Sequence, residues 1–386
     1  MKFRIIDTIL IAGLMLGLAA CGKKESTESG EQIIRIGSVS PLTGPQAHLG
    51  KDNENGAQMA IDDANAKGIM IGGKKVKFEL ISEDDAADPK TATIVAQKLA
   101  DEKVSGVVGH LNSGTTIPAS KIYHDAGIVQ ISPSATAVAY TAQGYDTAFR
   151  VMTNDEQQGK VLGNFAVTKM GAKRIAIIDD RSAYGQGLAD EVEKAAKAAG
   201  AEIVDHEYTN DKATDFLAIL TAIKGKHPDV IFLGGMDIQA APMAKQMKQL
   251  GLTAKLLSGD GTETTEFLKL AGADGEGVTA SSPGLPLDQM PGGKAFDERF
   301  TAKYGKIQNY APYAYDAVSV LIHAMEAANS SDPRKYLPEM AKTDFTGVTG
   351  KISFDSKGDV QTGAVTLYRV KDGQWQPLET VKGSDK

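Results

Sequence analysis

The sequence predicts an α/β fold made of two doubly wound parallel-sheet lobes, and three observations support this prediction. Short β-branched runs alternate with helical patterns along most of the chain, which is typical of βαβ units and parallel sheets. The alternation occurs in two successive series, each long enough to form one sheet. The chain also has 386 residues, more than one compact core holds, which favours two domains.

The first series follows a polar N-terminal stretch. Its predicted strands are Ile33–Val39, Val76–Ser82, Val104–Gly109 and Ile128–Ser132. Its predicted helices are an Ala-rich helix that ends at Lys67, Pro89–Asp101, and a helix that runs through Tyr123. The last helix is followed by Gly127, and glycine at that position commonly ends a helix.

The second series starts near Arg150. Its predicted strands are Arg174–Asp179, Ala201–Tyr208, Asp229–Gly234 and Lys255–Ser258. Its predicted helices are one that begins at Asp155, then Gly187–Ala199, Asp215–Ile223 and Ile238–Leu250. Glycines at 200 and 251 mark helix ends in this series, and Gly305 marks a later one.

The C-terminal region has a different pattern. A long predicted helix, Tyr313–Ala328, precedes short predicted strands at Lys351–Phe354, Ala364–Val370 and Gln374–Leu378. The last two strands are joined by a turn at Lys371-Asp372-Gly373. We expect these strands to complete one or both lobes.

The composition excludes several classes of protein. A chain that is 42% hydrophobic and 24% charged is neither disordered nor a polytopic membrane protein. The net charge of −7 gives no electrostatic basis for nucleic-acid binding. A single Cys excludes both a disulfide framework and a thiolate-based zinc site.

The first 20 residues have the features of an export signal. Lys2 and Arg4 precede an apolar run, Ile9–Leu18, of about half the length that a membrane-spanning helix needs. Leu18-Ala19-Ala20-Cys21 looks like a bacterial lipoprotein cleavage box. We therefore expect a signal peptide at 1–20, acylation of Cys21, a flexible tether at 21–32, and a lipid-anchored protein in the periplasm or on the cell surface. The alternative is an ordinary secretory signal with an incidental Cys.

The loops that follow the predicted strands hold the candidate binding residues, because ligands of open α/β sheets bind beyond the carboxyl ends of the strands. Two loops of the first series, 110–116 and 133–136, carry hydroxyl groups at helix starts, where free backbone N–H groups also favour an anion. Loops of the second series carry an aromatic and an acidic side chain. The candidates are Ser113, Ser134, Ala135, Thr136, Tyr184 and Asp260.

This combination suits a small zwitterion. Hydroxyl and helix N–H groups would hold its carboxylate, and a carboxylate would hold its ammonium group. Each residue also has a simpler explanation. Ser113 or Thr136 alone is more often a helix N-cap, Gly259-Asp260-Gly261 alone is more often a tight turn, and Tyr184 could be a surface aromatic.

Signals of enzymatic activity are absent or weak. The sequence has no G-x-S-x-G, no G-x-x-x-x-G-K-[ST] and no H-E-x-x-H motif. Gly185-Gln186-Gly187 is better explained as a tight loop before a helix than as a nucleotide-binding turn. The six histidines are scattered without ligand spacing. We predict no catalytic residues, no metal and no cofactor.

Several segments resemble the branched-chain amino-acid-binding proteins of bacterial ABC importers, which have the type I periplasmic-binding fold. The resemblance covers residues 33 to 375, and the matching segments occur in order. They are I-G-S-V-S-P-L-T-G-P-Q-A-H-L-G (36–50), D-D-A-A-D-P (84–89), V-V-G-H-L-N-S-G-T-T-I-P-A-S (107–120), I-S-P-S-A-T-A (131–137), R-I-A-I-I-D-D (174–180), Y-G-Q-G-L-A (184–189), G-G-M-D (234–237) and G-D-G (259–261).

The resemblance implies two lobes joined by a hinge that close over an amino acid. It assigns 33–153 plus 282–358 to lobe 1 and 154–281 plus 359–381 to lobe 2. It also implies that Ser113, Ser134 and Thr136 hold the carboxylate and that Asp260 holds the ammonium group. Tyr184 would close over the ligand.

The chain departs from the family pattern around the side-chain pocket. Leu49 and Met236 stand where relatives have aromatic residues, and Asp237 follows Met236. These three complete the candidate site. Ala87 and Asn112 stand where relatives have a pair of cysteines.

The predicted function is therefore a monomeric solute receptor that delivers an aliphatic amino acid, Leu, Ile or Val, to an ABC permease and its ATPase. Amides and aromatic acids remain possible ligands. A sensor that uses the same clamp is the alternative function, and an enzyme is a third.

Overall fold

The structure, a computed structural model, describes residues 31–383. The predicted signal peptide, the acylated Cys21 and almost all of the tether lie outside the described residues. Two large sheets, each covered by helices, form two lobes. The predicted fold class is confirmed.

The sheet of the first lobe has six strands in the order β2-β3-β1-β4-β5-β6. All neighbours are parallel except β2, which pairs antiparallel with β3. The strands are β1 (Gln32–Ser40), β2 (Met70–Ile71), β3 (Lys74–Asp84), β4 (Val107–Gly109), β5 (Gln130–Ser132) and β6 (Ala148–Arg150).

Seven helices belong to this lobe. Four come from the N-terminal half of the chain: α1 (Ala47–Lys67), α2 (Pro89–Asp101), α3 (Ser113–Ala126) and α4 (Ala139–Ala142). Three later helices return to the same lobe, where the second of them packs along α1: α10 (Gly293–Tyr304), α11 (Ala311–Ala327) and α12 (Pro333–Met340). The first lobe is therefore built from two distant parts of the sequence.

The sheet of the second lobe has seven strands in the order β15-β14-β11-β10-β9-β7-β8. They are β7 (Arg174–Asp179), β8 (Glu202–Tyr208), β9 (Val230–Gly234), β10 (Lys255–Ser258), β11 (Thr279–Pro283), β14 (Ala364–Lys371) and β15 (Gln374–Lys382). Its helices are α5 (Asp155–Thr168), α6 (Ala183–Ala198), α7 (Leu217–Lys224), α8 (Asp237–Gln249) and α9 (Thr265–Ala271). The central strand β9 is buried along its whole length, as expected for a parallel strand that is covered on both faces.

The chain passes between the lobes three times, at 151–154, 284–292 and 353–363. The side chain of Arg150, which is fully buried, lies beside the first and third passages because its Nε donates to Asp359 Oδ1 at 2.5 Å. Within the described part of the chain, no helix is long and apolar enough to cross a bilayer.

The start of one helix was predicted wrongly, and the prediction that the tail strands complete one or both lobes is confirmed for two of them. Helix α6 begins at Ala183, not Gly187, because the Ser182 side chain caps it by accepting from Gly185 N–H at 2.9 Å. A β-carbon at Gly185 would lie 2.2 Å from Asp180 Oδ1, so this glycine permits close packing inside a helix and does not form a loop. In the tail, β13 (Lys351–Ile352) joins only β12 (Phe345–Thr346), while β14 and β15 form an antiparallel edge of the second sheet.

Candidate functional site

A small cavity lies between the lobes, at the carboxyl ends of five parallel strands. Residues that follow β4 and β5 form its first-lobe wall together with Tyr310, and residues that follow β7, β9 and β10 form its second-lobe wall. The lining residues are Leu111, Asn112, Ser113, Ser134, Tyr184, Met236, Asp260 and Tyr310. The free volume between these walls is about 10 Å³, room for about one water molecule, so a ligand enters only when the lobes move apart.

Ser113 is the first residue of α3 and lies on the first-lobe wall. Its Oγ accepts a hydrogen bond from Ala137 N–H at 3.2 Å, which joins the two hydroxyl-bearing loops. The first backbone N–H groups of a helix have no acceptor inside the helix and carry a partial positive charge. This wall can therefore attract an anion without a cationic side chain.

The 133–137 loop supplies Ser134 to the same wall, whereas Thr136 of this loop does not line the cavity. Ser134 Oγ donates to Leu111 O at 3.1 Å. Ala135 N–H donates to Ser132 Oγ at 2.9 Å, so this backbone group already has an acceptor. Thr136 is fully buried, and its Oγ1 has no hydrogen-bond partner among residues 31–383. The carboxyl group of Asp155, whose pKa the Thr136 hydroxyl lowers, lies close to it.

Arg150 holds this loop in place. Its Nη1 donates to Ala135 O at 2.9 Å, and its Nη2 donates to Ala137 O at 3.0 Å. Because the same guanidinium binds Asp359 in the third passage between the lobes, the loop is fixed to the segment that connects them.

Asp260 is the acidic group of the second-lobe wall, and only 1% of it is exposed. Its Oδ1 accepts from Gln158 Nε2 at 2.7 Å and from Tyr184 OH at 3.0 Å, and its Oδ2 accepts from Tyr310 OH at 2.7 Å. Burial raises the pKa of Asp260, and these three donors partly offset that effect. A carboxylate offers about four acceptor positions, so one remains for a ligand.

The hydroxyl groups of two tyrosines meet at Asp260. Tyr184, in the first turn of α6, also accepts from Gly261 N–H at 3.1 Å. Tyr310 belongs to the first lobe, so its bond to Asp260 spans the cleft. Burial raises the pKa of both hydroxyls well above the usual value, and the Asp260 charge adds to this effect. Both therefore act as neutral donors.

A second buried carboxyl group, Asp155, is the first residue of α5. Neither of its oxygens has a hydrogen-bond partner in the described chain, although the side chain is fully buried. Burial raises the pKa of Asp155 to about 8; the nearby Thr136 hydroxyl partly offsets this, whereas the charge of Asp260 adds to it. The second lobe thus brings two acids close to one place, an arrangement that a cation would stabilise.

The position of Tyr310 depends on Asp52 of α1. The Asp52 carboxylate accepts four backbone N–H groups at the start of α11, from residues 308–311, at 2.8–3.1 Å. Tyr310, the N-cap residue of α11, has no side-chain cap of its own. Asp52 therefore supplies the cap from a different helix, as a carboxylate at a helix N-terminus does.

Four of the predicted site residues do not line the cavity: Leu49, Ala135, Thr136 and Asp237. Met236 lines the cavity, but Leu49 is fully buried in the hydrophobic core and does not line it. Asp237 is also outside the lining. Its Oδ2 accepts from Thr264 Oγ1 at 2.6 Å and lies 2.7 Å from His48 Nε2 of the first lobe. Asp237 therefore joins the two lobes beside the cavity.

The sequence analysis did not identify Tyr310, Gln158, Asp155 or Arg150. A weak signal existed for Tyr310, because three of the chain's 11 tyrosines stand at 310, 313 and 315. Arg150, Asp155 and Gln158 stand at the first passage between the lobes, which carries no sequence motif. Within residues 31–383, no group of three or more His, Cys, Asp or Glu could hold a metal ion.

The arrangement is chemically suited to binding a molecule with one negative and one positive group. Neutral hydroxyls and a helix start lie on the first-lobe wall. The Asp260 carboxyl group lies on the second-lobe wall, and the Asp155 carboxyl group is buried close by. The fully buried carboxylate of Asp260 is held by three donors.

Comparisons with known proteins agree with this geometry. Residues 33–374 match the family described as "Periplasmic binding protein". The chain is 36% identical to a Leu/Ile/Val-binding protein homologue of Brucella abortus, over 88% of this chain and 91% of the relative. It is 35% identical to a leucine-, isoleucine-, valine-, threonine- and alanine-binding protein of Pseudomonas aeruginosa, over 87% of this chain and 89% of the relative.

A similar solved structure is the substrate-binding protein of a Streptococcus pneumoniae branched-chain amino acid transporter, in complex with isoleucine. It is 32% identical, covers 91% of this chain and 100% of its own, and has a TM-score of 0.82.

Proposed function

The chain belongs to the periplasmic binding protein family, and from this premise we propose that it captures a branched-chain amino acid, Leu, Ile or Val, between its lobes for delivery to an ABC importer. Its relatives are substrate-binding proteins, so the chain is a solute-binding protein and not an enzyme. The printed names of the relatives specify branched-chain ligands, and the apolar side chains of Leu111 and Met236 in the cavity suit such a ligand.

One observation carries the proposal: opposite lobes contribute a buried carboxylate, Asp260, and two hydroxyl groups, Ser113 and Ser134, to one small site. Asp260 would bind the α-ammonium group through its remaining acceptor position. The α-carboxylate would bind Ser113 and the N-terminus of α3, with Thr136 Oγ1 gaining a ligand partner. Tyr184 and Met236 would cover the ligand from the second lobe. Ser134 and Ala135 would shape the first-lobe wall, with Leu49 behind it. Asp237 would support the second-lobe wall.

The three passages between lobes would act as the hinge, dividing the chain at 33–153 plus 282–358 and 154–281 plus 359–381. The partners would be an ABC permease and its ATPase. We also propose that the protein is a monomer, which light scattering on the purified protein would check.

The test is a panel of the twenty amino acids, measured by thermal shift on protein that has been unfolded and refolded to remove any bound ligand. A ligand at 1,000 times its Kd should stabilise the protein by about 4 kcal/mol, which raises the Tm by several degrees. We expect shifts for Leu, Ile and Val. A flat panel across all twenty would contradict amino-acid binding.

Two analogues of leucine sharpen the test. 4-Methylpentanoate lacks the ammonium group, and isopentylamine lacks the carboxylate. Both should bind at least about 30-fold more weakly than leucine, the order expected for loss of a buried charge pair. Equal binding of 4-methylpentanoate would remove the proposed role of Asp260.

The lipid anchor is tested separately. We expect the wild-type protein to fractionate with membranes and a Cys21→Ser variant to appear in the soluble extracytoplasmic fraction. Identical fractionation of the two proteins would favour the ordinary secretory signal.

A further inference from the structure

A groove with a free volume of about 490 Å³ lies beside the second passage between the lobes, apart from the cavity of the cleft. Residues of β11, β14 and β15 line it on the side of the second lobe, and residues of α10 and α11 line it on the side of the first lobe. Its volume falls within the range of about 300–1,000 Å³ that is typical of small-molecule sites.

Much of the groove is apolar. Leu285 and Leu287 of the passage and Ile307, just before α11, line it and are partly exposed. The rings of Tyr313 and Tyr368 add aromatic surface from opposite lobes. These side chains can cover the carbon skeleton of a small molecule.

One acidic side chain of the groove lacks a partner. The carboxyl group of Glu263 is set deep among protein atoms and is partly exposed to the groove, and it makes no hydrogen bond or ion pair within residues 31–383. Burial raises the pKa of Glu263 to about 8, and the charge of Asp260 adds to this effect. An ammonium group beside Glu263 would favour the charged carboxylate and so lower this pKa.

The other charges of the groove also favour a cation. Asp288 and Asp297 line it together with Glu263, whereas Lys294 is the basic residue of the lining. The Tyr368 hydroxyl likewise has no hydrogen-bond partner in the described part of the chain. An excess of acids around a groove raises the local concentration of cations, and aromatic faces attract them as well.

We propose that this groove is a second ligand site, which binds a small molecule that carries an ammonium group on an apolar body. The ammonium group pairs with Glu263, and the apolar body packs against Leu285, Leu287 and Ile307. This site goes beyond the proposed amino-acid function, because it shares no lining residue with the cavity of the cleft.

The groove is nevertheless connected to the cleft. Glu263 directly follows the short 3₁₀ helix Asp260–Thr262. Asn309 of the first lobe lines the groove, and its Nδ2 donates to Asp260 O at 3.0 Å and to Glu263 O at 3.4 Å. Its Oδ1 accepts from Ser282 Oγ at 2.9 Å. One amide therefore joins the first lobe to the groove and to the backbone of the acid in the cleft.

This connection predicts coupling between the two sites. The groove has this shape when Tyr310 contacts Asp260 across the cleft, so a molecule that binds both of its sides favours the closed arrangement. Coupling between two ligands is reciprocal, so the amine and the amino acid should each strengthen the binding of the other. This coupling, unlike the groove site itself, rests on the proposed function.

The experiment uses 2-phenylethylamine as the probe and calorimetry on refolded protein at about pH 8, near the raised pKa of Glu263. We expect the amine to bind leucine-saturated protein at least as tightly as leucine-free protein. 2-Phenylethanol and 3-phenylpropionate have a similar skeleton without the cation, and they should bind at least about tenfold more weakly. Displacement of the amine by leucine, or equal binding of 2-phenylethanol, would overturn the inference.

Variants locate the probe in the groove. Glu263→Gln keeps the shape of the side chain and removes its charge, so the amine should bind at least about tenfold more weakly. Glu298→Gln is the matched control, because Glu298 is exposed on α10 and does not line the groove, and its Kd should stay within about twofold of wild type.

Ile307→Trp fills the groove and gives a second test if Glu263→Gln does not fold; it should also weaken binding of the amine. Unchanged binding in both variants would overturn the inference. Failure of every amino acid to bind would instead contradict the proposed function. In that case the amine is measured on Asp260→Asn, in which the cleft lacks its carboxylate, and loss of all binding there would overturn the groove site as well.

Discussion

The two walls of the cleft differ in charge. The first lobe lines the cavity with Leu111, Asn112, Ser113, Ser134 and Tyr310, none of which is charged at neutral pH. The second lobe presents Asp260, with Asp155 buried close by. Each wall thus matches one end of an amino acid, and neither wall matches both.

This difference explains why binding and closure would be coupled. The acidic wall would repel a carboxylate, so the proposed ligand would have one favoured orientation. Its ammonium group would reach Asp260 only when the second lobe approaches. The closed form is further held by Tyr310 and His48, first-lobe residues that contact acids of the second lobe.

The largest expected effect comes from removing the charge of the acidic wall. Asp260→Asn should weaken the binding of leucine by at least about 30-fold, or ~2 kcal/mol, because the ammonium group would be buried without its counter-charge. Calorimetry measures this loss. The exposed Asp211→Asn is the matched control and should bind as wild type does. Full-strength binding by Asp260→Asn would contradict the assignment of Asp260.

Removing one hydroxyl group from the first lobe should have a smaller effect. Thr136→Val keeps the shape of the side chain but removes Oγ1, and we expect about tenfold weaker binding of leucine, the usual order for one hydrogen bond to a charged group. The exposed Thr221→Val controls for the substitution. Unchanged affinity would mean that the Thr136 hydroxyl does not contact the ligand.

The acidity of the second wall predicts a pH effect on the ligand-free protein. The pKa of Asp155 is raised from 3.8 to about 8, so its contribution to stability is present below about pH 4 and is lost as the pH rises towards 8. Asp155→Asn stays neutral, and its advantage in Tm over wild type should therefore grow by a few degrees from pH 5 to pH 8. A constant difference in Tm would show that Asp155 is not buried in its neutral form.

The smallest expected effect concerns the contact between His48 and Asp237 at the cleft. Burial lowers the pKa of His48, but the hydrogen bond and charge of Asp237 outweigh this, and the pKa is raised above 6.5. The stabilisation that the His48–Asp237 ion pair gives to the contact between the lobes is therefore present below pH 6.5 and is lost as the pH rises through the raised pKa of His48. His48→Gln should weaken leucine binding a few-fold at pH 5.5, because a partly exposed ion pair contributes at most about 1 kcal/mol.

Above the raised pKa, where His48 of the wild type is neutral, the difference in Kd between the two proteins should be much smaller. An equal difference at both pH values would mean that the charge of His48 does not help to close the lobes.

The sequence was sufficient for features that depend on local order. The alternation of apolar runs and helical patterns predicted the fold class, and Pro89–Asp101 and Arg174–Asp179 were predicted with the bounds that the structure has. Loops after strands supplied Ser113, Ser134, Tyr184, Met236 and Asp260, because the carboxyl ends of parallel strands lie at one edge of a sheet. The fold class and five of the eight lining residues were therefore predicted from the sequence alone.

Only the tertiary structure decided which side chains complete the site. Tyr310 lies 50 residues from Asp260 and 258 from Asp52, yet it bonds to the first and is positioned by the second. Leu49 lies in segment 36–50, which matches the family pattern, but its side chain is buried in the hydrophobic core. Long-range pairing of this kind leaves no periodic signal in a sequence, because it depends on how the lobes pack, whereas strands and helices follow from the spacing of apolar residues along the chain.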